Sequence, residues 1–62
     1  MLDLYKDVLT VEDLCDILMI GRNHVYELLK TGKIAGFQLG RTWKIPKIAV
    51  EEYLKEQAGL LH

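Results

Sequence analysis

Two short helices joined by a tight turn, then a two-stranded hairpin and a closing helix, make the small α+β fold that this sequence predicts. Three observations carry it. From Thr10 to Gly32 apolar residues recur at helical spacing in two runs broken at Ile20-Gly21. From Phe37 to Ile45 the period changes to two, around Gly40-Arg41-Thr42. Pro46 then stands ahead of a last helical run.

Each element has a local cause. Thr10 with Asp13 three residues on has the form of a capping box, with Asp in place of the usual Glu, so the first helix is expected to start at Val11. Its inner face is Leu14, Cys15 and Leu18. Ile20 falls in the turn, and Gly21-Arg22-Asn23 opens a second helix whose apolar positions are Val25, Leu28 and Leu29. Gly32 closes that helix as a C-terminal cap. In the hairpin, Phe37 and Leu39 alternate with Gln38, and Trp43 and Ile45 alternate with Lys44. With Gly40-Arg41-Thr42 as the turn, this predicts one apolar face of Phe37, Leu39, Trp43 and Ile45 locked onto the helices, Trp43 opposing Phe37 or Leu39. Pro46 lacks a backbone donor and ends the second strand, and in the last helix Ile48, Val50, Tyr53 and Leu54 are expected to pack inward. Leu2 to Leu9 reads equally as a short strand or a frayed helix.

The first two helices meet the spacing of a helix-turn-helix, which needs a small residue where the helices cross and apolar residues about the turn. Cys15 is that small residue, flanked by Leu14 and Leu18, with Ile20 plugging the turn and Val25 and Leu28 facing it. The departure is Met19, where such turns more often hold Gly or Asn able to take a positive backbone angle. With the hairpin as a wing, the expected fold is a winged helix-turn-helix spanning residues 1–62 as a single domain.

Length and composition bound the function. A chain of 62 residues buries only about 60% of its unfolded surface, so its core must be small. Half the residues are apolar and no low-complexity block interrupts them, which favours a folded domain over a disordered tail. Cys15 is the single cysteine, so no intramolecular disulfide forms, and the start Met1-Leu2-Asp3-Leu4-Tyr5 lacks the pattern of a secretory signal. The longest apolar run, Ile17 to Ile20, falls far short of the roughly 20 residues of a spanning helix. A cytoplasmic protein is expected.

The net charge of −1 hides an asymmetry. In residues 1–21 Lys6 stands against Asp3, Asp7, Glu12, Asp13 and Asp16, a net −4, and in residues 48–62 Lys55 stands against Glu51, Glu52 and Glu56, a net −2. The middle, residues 22–47, carries Arg22, Lys30, Lys33, Arg41, Lys44 and Lys47 against Glu27, a net +5. Positive charge is concentrated on the second helix and the wing, the pattern of a nucleic-acid footprint. The plainer reading is that these are ordinary solvated side chains.

Four segments carry a family resemblance: Leu9 to Cys15 (LTVEDLC), Ile20 to Tyr26 (IGRNHVY), Lys30 to Ile34 (KTGKI) and Leu39 to Pro46 (LGRTWKIP). In this order and spacing the chain, over roughly residues 9–55, closely resembles the excisionase-type winged helix-turn-helix DNA-binding domains related to the MerR-like group. The resemblance implies a second helix in the major groove and a wing at the minor groove or its phosphates. Many members assist excision of mobile elements by binding and bending DNA beside a recombinase, while others regulate transcription or form the DNA-binding part of larger phage proteins. Where members commonly carry Ser or another capping side chain, this chain has Gly21.

The candidate DNA-binding residues follow. Arg22, Asn23 and His24 occupy the first turn of the second helix, and Arg to guanine or Asn to adenine are the pairings that groove geometry favours. Their plainer reading is a solvated helix start. His24 has no metal-ligand set around it, with His62 the other histidine, so no metal and no cofactor is expected. Tyr26 suits a phosphate hydrogen bond or core packing, and Glu27 suits a cytosine contact or the shielding of nearby cations. Arg41 at the hairpin tip suits a narrow minor groove, whose enhanced negative potential attracts Arg. Thr42 and Lys44, with Gln38 on the polar positions of the hairpin, would hold the backbone beside it. Trp43 is expected in the core, and Lys30, Lys33 and Lys47 suit phosphates or solvent.

An enzyme finds no support: Gly32-Lys33 lacks the rest of a phosphate-binding loop, and the chain contains no Ser. The expected role is an excisionase-like accessory factor on double-stranded DNA, with a recombinase (integrase) or further copies of the chain as partners. The alternatives are a small transcriptional regulator of the same fold and, in another class, a protein-interaction module using the acidic first helix and the tail Ala58-Gly59-Leu60-Leu61.

Overall fold

A computed structural model describes residues 2–59; Leu60, Leu61 and His62, and with them half of the apolar tail, lie outside the described residues. The elements run β1 (Val8–Leu9), α1 (Val11–Leu18), α2 (Arg22–Lys30), β2 (Phe37–Leu39), β3 (Thr42–Pro46) and α3 (Lys47–Gln57). This is the small α+β, winged helix-turn-helix architecture that the sequence predicts. The sheet has three strands rather than two, because the segment that read ambiguously supplies β1 and gives the order β1-β3-β2.

The helix ends form as their residues dictate. Thr10 Oγ1 accepts the Asp13 N–H at 3.1 Å and Asp13 Oδ2 accepts the Thr10 N–H at 3.0 Å, a complete capping box. At the other end Met19 is left-handed, with φ 56° and ψ 45°, and its side chain is 88% exposed. Non-glycine residues pay a steric cost for that conformation. Both the Met19 and the Ile20 N–H donate to the Cys15 carbonyl, which turns the chain sharply into α2. Gly21 caps α2 in an extended conformation without a side-chain hydrogen bond. Gly32, φ +78°, ends it and donates to the Leu29 carbonyl at 3.3 Å, after which buried Ile34 donates to Leu28 at 3.2 Å and returns the chain to the core.

The core sits between the helices and one face of the sheet. Leu9, Leu14, Val25, Ile34, Ile45 and Val50 are its fully buried side chains, with Leu2, Val11, Leu28 and Leu29 closing it. Cys15 and Leu18 are half-buried against it, as are Tyr53 and Leu54. Ile48, expected inside, is exposed instead. It lies two positions before Val50, about 200° round the helix axis, so both cannot face the core.

The hairpin register corrects a second expectation. Its loop is the two residues Gly40-Arg41, with Gly40 at φ +63° and Arg41 not in the positive-φ region, the pattern of a type II′ turn. Leu39 therefore pairs with Thr42, Gln38 with Trp43 and Phe37 with Lys44. A three-residue turn would have placed Leu39 opposite Trp43; shortening it by one residue flips β2 relative to β3. Trp43 and Ile45 face the core side together with Leu9, whereas Phe37 and Leu39 stand on the outer face, 51% and 62% exposed. Trp43 is half-buried at the core's edge rather than within it. The chain nears β3 at Gly36, where an added Cβ would come within 3.1 Å of Leu29 Cδ2 and 3.3 Å of Ile45 Cγ1.

Candidate nucleic-acid interface

The inward face of α2 is fixed by Val25, Leu28 and Leu29, so its remaining positions must look outward. Arg22, Asn23 and His24 are all exposed in its first turn. Asn23, Glu27 and Lys30 follow one another at helical spacing along the exposed surface, and all three are accessible. Lys33 is exposed in the loop beyond.

The wing stands beside this helix. An open notch of about 240 Å³ separates them, lined by Thr10, Val11 and Glu12 at the start of α1, Tyr26 of α2, and Arg41, Thr42 and Trp43 of the hairpin. Tyr26 and Trp43 are half-buried in its walls, while Arg41 and Thr42 are exposed at its rim. Helix and hairpin tip, far apart in sequence, thus share one border, and beside Val11 and the Glu12 carboxylate the side chains on it offer an aromatic hydroxyl, an indole, a guanidinium and two threonine hydroxyls. These are hydrogen-bond donors of the kind that phosphate oxygens accept from. Gln38 is exposed beside Trp43 on the same face of the hairpin, and Lys44 is half-buried on the opposite face beside Phe37.

Among the described residues, Lys47 and Arg22 have partners within the chain. Lys47 Nζ donates to the Tyr5 carbonyl at 3.4 Å and lies 3.6 Å from Asp7 Oδ1, so its ammonium ties the N-terminal segment to α3. Arg22 Nη2 donates to Glu12 Oε1 across the two helices. Glu12 was not legible as a site residue, since it lies ten positions before Arg22 and no helical or strand spacing links them. Only the crossing of α1 and α2 brings the pair together.

The comparisons with known proteins concern this same stretch. A family model described as a helix-turn-helix domain matches residues 8–58. A protein of Streptomyces ambofaciens named excisionase is 30% identical over 53 residues, covering 86% of this chain and 86% of that protein. The chain belongs to the excisionase-type helix-turn-helix family. A probable excisionase of Saccharopolyspora erythraea is 37% identical over 46 residues, 74% of this chain and 47% of that protein. No solved structure matches the chain. The family match spans every element of the structure, from β1 to the last turn of α3, so the helix pair and the hairpin belong to it together. Among the described residues, no helix of this excisionase-type chain is long and apolar enough to cross a membrane, and no three His, Cys, Asp or Glu gather as a metal set.

Proposed function

We propose that this chain is a double-stranded DNA-binding protein acting as a single winged domain, with α2 in the major groove and the Arg41 tip of the hairpin at the minor groove. Its role is that of an excisionase-like accessory factor in mobile-element recombination, working inside the cell by binding rather than by chemistry, beside a recombinase or further copies of itself. The observation that carries this reading is the shared border of α2 and the wing, where Tyr26, Arg41, Thr42 and Trp43 line one notch and the exposed first turn of α2 lies beside it. The segment charge of +5 over residues 22–47 supports a polyanionic partner. The kinship with proteins named excisionase supports the recombination role over transcriptional control.

In this pose Arg22 and Asn23 read base edges, with His24 and Glu27 beside them. Tyr26, Lys30, Lys33, Gln38, Thr42 and Lys44 hold the phosphate backbone, and Arg41 enters the minor groove. Lys47 contributes through the N-terminal segment that it ties down.

The test separates reading from positioning. On a duplex enriched by the protein from a randomised pool, Arg22→Ala or Asn23→Ala is expected to cost about 1–3 kcal/mol, and far less on a scrambled duplex. Lys33→Ala is expected to weaken both nearly alike. Equal losses on both duplexes for all three variants would remove α2 from the role of base reader.

A further inference from the structure

The Arg22–Glu12 pair is not explained by stability. Asp13, not Glu12, completes the capping box with Thr10, so Glu12 makes no capping hydrogen bond and adds to α1 only the small stabilisation of an acidic first turn. Both side chains of the pair are mostly exposed, 57% for Arg22 and 62% for Glu12. Exposed pairs of this kind add little to folding. Glu12 also lines the notch between α2 and the wing, placing a carboxylate among Tyr26, Arg41 and Thr42, where the proposed pose runs a phosphate backbone.

We propose that Glu12 is a specificity-determining residue: its carboxylate keeps the Arg22 guanidinium paired, so that it takes no backbone phosphate, while the N–H donors left free serve a base edge that offers two acceptors. The proposal rests on the assignment of α2 to base reading. Its physical basis is the charge of the acceptor. The pair is a single contact, from Nη2 to one carboxylate oxygen, which leaves the other N–H donors of the guanidinium free. Leaving Glu12 for a phosphate swaps one anion for another and gains little, while Glu12 stands unpaired beside the DNA. The O6 and N7 of a guanine are neutral acceptors that the free donors can meet as a two-pronged contact with the Glu12 pair kept. On random sequence Arg22 stays with Glu12, and discrimination arises from a penalty on the wrong duplex as much as from a reward on the right one.

The experiment is a double-mutant cycle of Glu12→Gln, Arg22→Ala and the two combined. Each protein is titrated over a salt series against the duplex enriched from a randomised pool and against its scrambled form. Glu12→Gln keeps the side chain's shape and removes its charge, and its melting temperature is expected to match the parent, since the pair is exposed. It is expected to bind the scrambled duplex about two- to fivefold more tightly, the equivalent of an exposed ion pair released. The slope of log affinity against log salt on that duplex steepens by about 0.9, one more phosphate neutralised. Affinity for the enriched duplex changes by less than about twofold, so selectivity falls. In the Arg22→Ala background Glu12→Gln has neither effect. A gain of equal size on both duplexes, or one that persists without Arg22, overturns the proposal by showing that Glu12 merely repels DNA; no gain on either overturns it as well. A parent protein that binds no duplex, or a pool from which it enriches no sequence, overturns the base-reading assignment on which the proposal stands.

Discussion

Replacing Met19 with Gly is expected to stabilise the protein, although it deletes a large side chain. Met19 sits at φ 56° and ψ 45° in the turn between α1 and α2. An L-residue pays about 1–2 kcal/mol for the left-handed conformation, a cost that glycine escapes. Against this, glycine gains about 0.5–1 kcal/mol of freedom in the unfolded chain. The side chain is 88% exposed, so losing its burial costs only about 0.2–0.4 kcal/mol of the 1.5–3 that a fully buried Met contributes. The balance is a gain of about 0.5 kcal/mol, which in a chain of this size raises the melting temperature by about 2–4 °C. Thermal unfolding followed by far-ultraviolet circular dichroism measures it, with Met19→Ala as the control. Ala removes the same side chain but keeps the Cβ that makes the conformation costly, so it is expected to melt at or slightly below the parent. A Gly variant no more stable than the Ala variant would refute the left-handed turn and with it the sharp entry into α2.

Other substitutions test the remaining parts. Thr10→Ala removes one half of the capping box and is expected to cost about 1 kcal/mol, read from the denaturant midpoint at unchanged slope. Arg41→Ala, at an exposed tip, is expected to change stability by less than about 0.5 kcal/mol while weakening DNA binding. Trp43→Ala is expected to cost roughly 1.5–2.5 kcal/mol, half the figure for a fully buried Trp, because the ring sits at the edge of the core. Melting and duplex binding measured on both variants distinguish them: a folded Arg41→Ala protein with undiminished affinity would exclude the wing as a DNA contact.

The parts of the fold legible in the sequence are those fixed by near neighbours. Thr10 and Asp13 mark the start of α1, Gly32 the end of α2, and Pro46 the step from strand to helix, each through chemistry acting within a few residues. Val25, Leu28 and Leu29 were legible because a helix repeats its buried face at fixed spacing. Met19 stood out as an ill-suited turn residue, and the structure holds it in the strained conformation that its position demands. The face of Phe37 and Leu39 was not legible. Alternation shows which residues of one strand share a side, but loop length decides how two strands align, and Gly40-Arg41-Thr42 reads as a two- or three-residue turn with equal ease. The pairing of Val8-Leu9 with Ile45-Pro46 is long-range and leaves no local signature. For the candidate site, the exposed first turn of α2 and the hairpin tip were placed from sequence, whereas the engagement of Arg22 by Glu12 and of Lys47 by Asp7 and Tyr5 depends on the tertiary fold.

Duplex binding across a salt series tests DNA recognition most directly. Of the six cations in residues 22–47, Lys47 and Arg22 are engaged within the chain, which leaves Lys30, Lys33, Arg41 and Lys44 for phosphates. At roughly −0.9 per phosphate neutralised, three or four contacts give a slope of log affinity against log salt of about −2.7 to −3.6. Such a slope on duplex DNA, flattened by about one unit in Lys33→Ala, is the expected result. A slope near zero, or no measurable binding at low salt, would contradict the reading of this helix and wing as a grip on DNA.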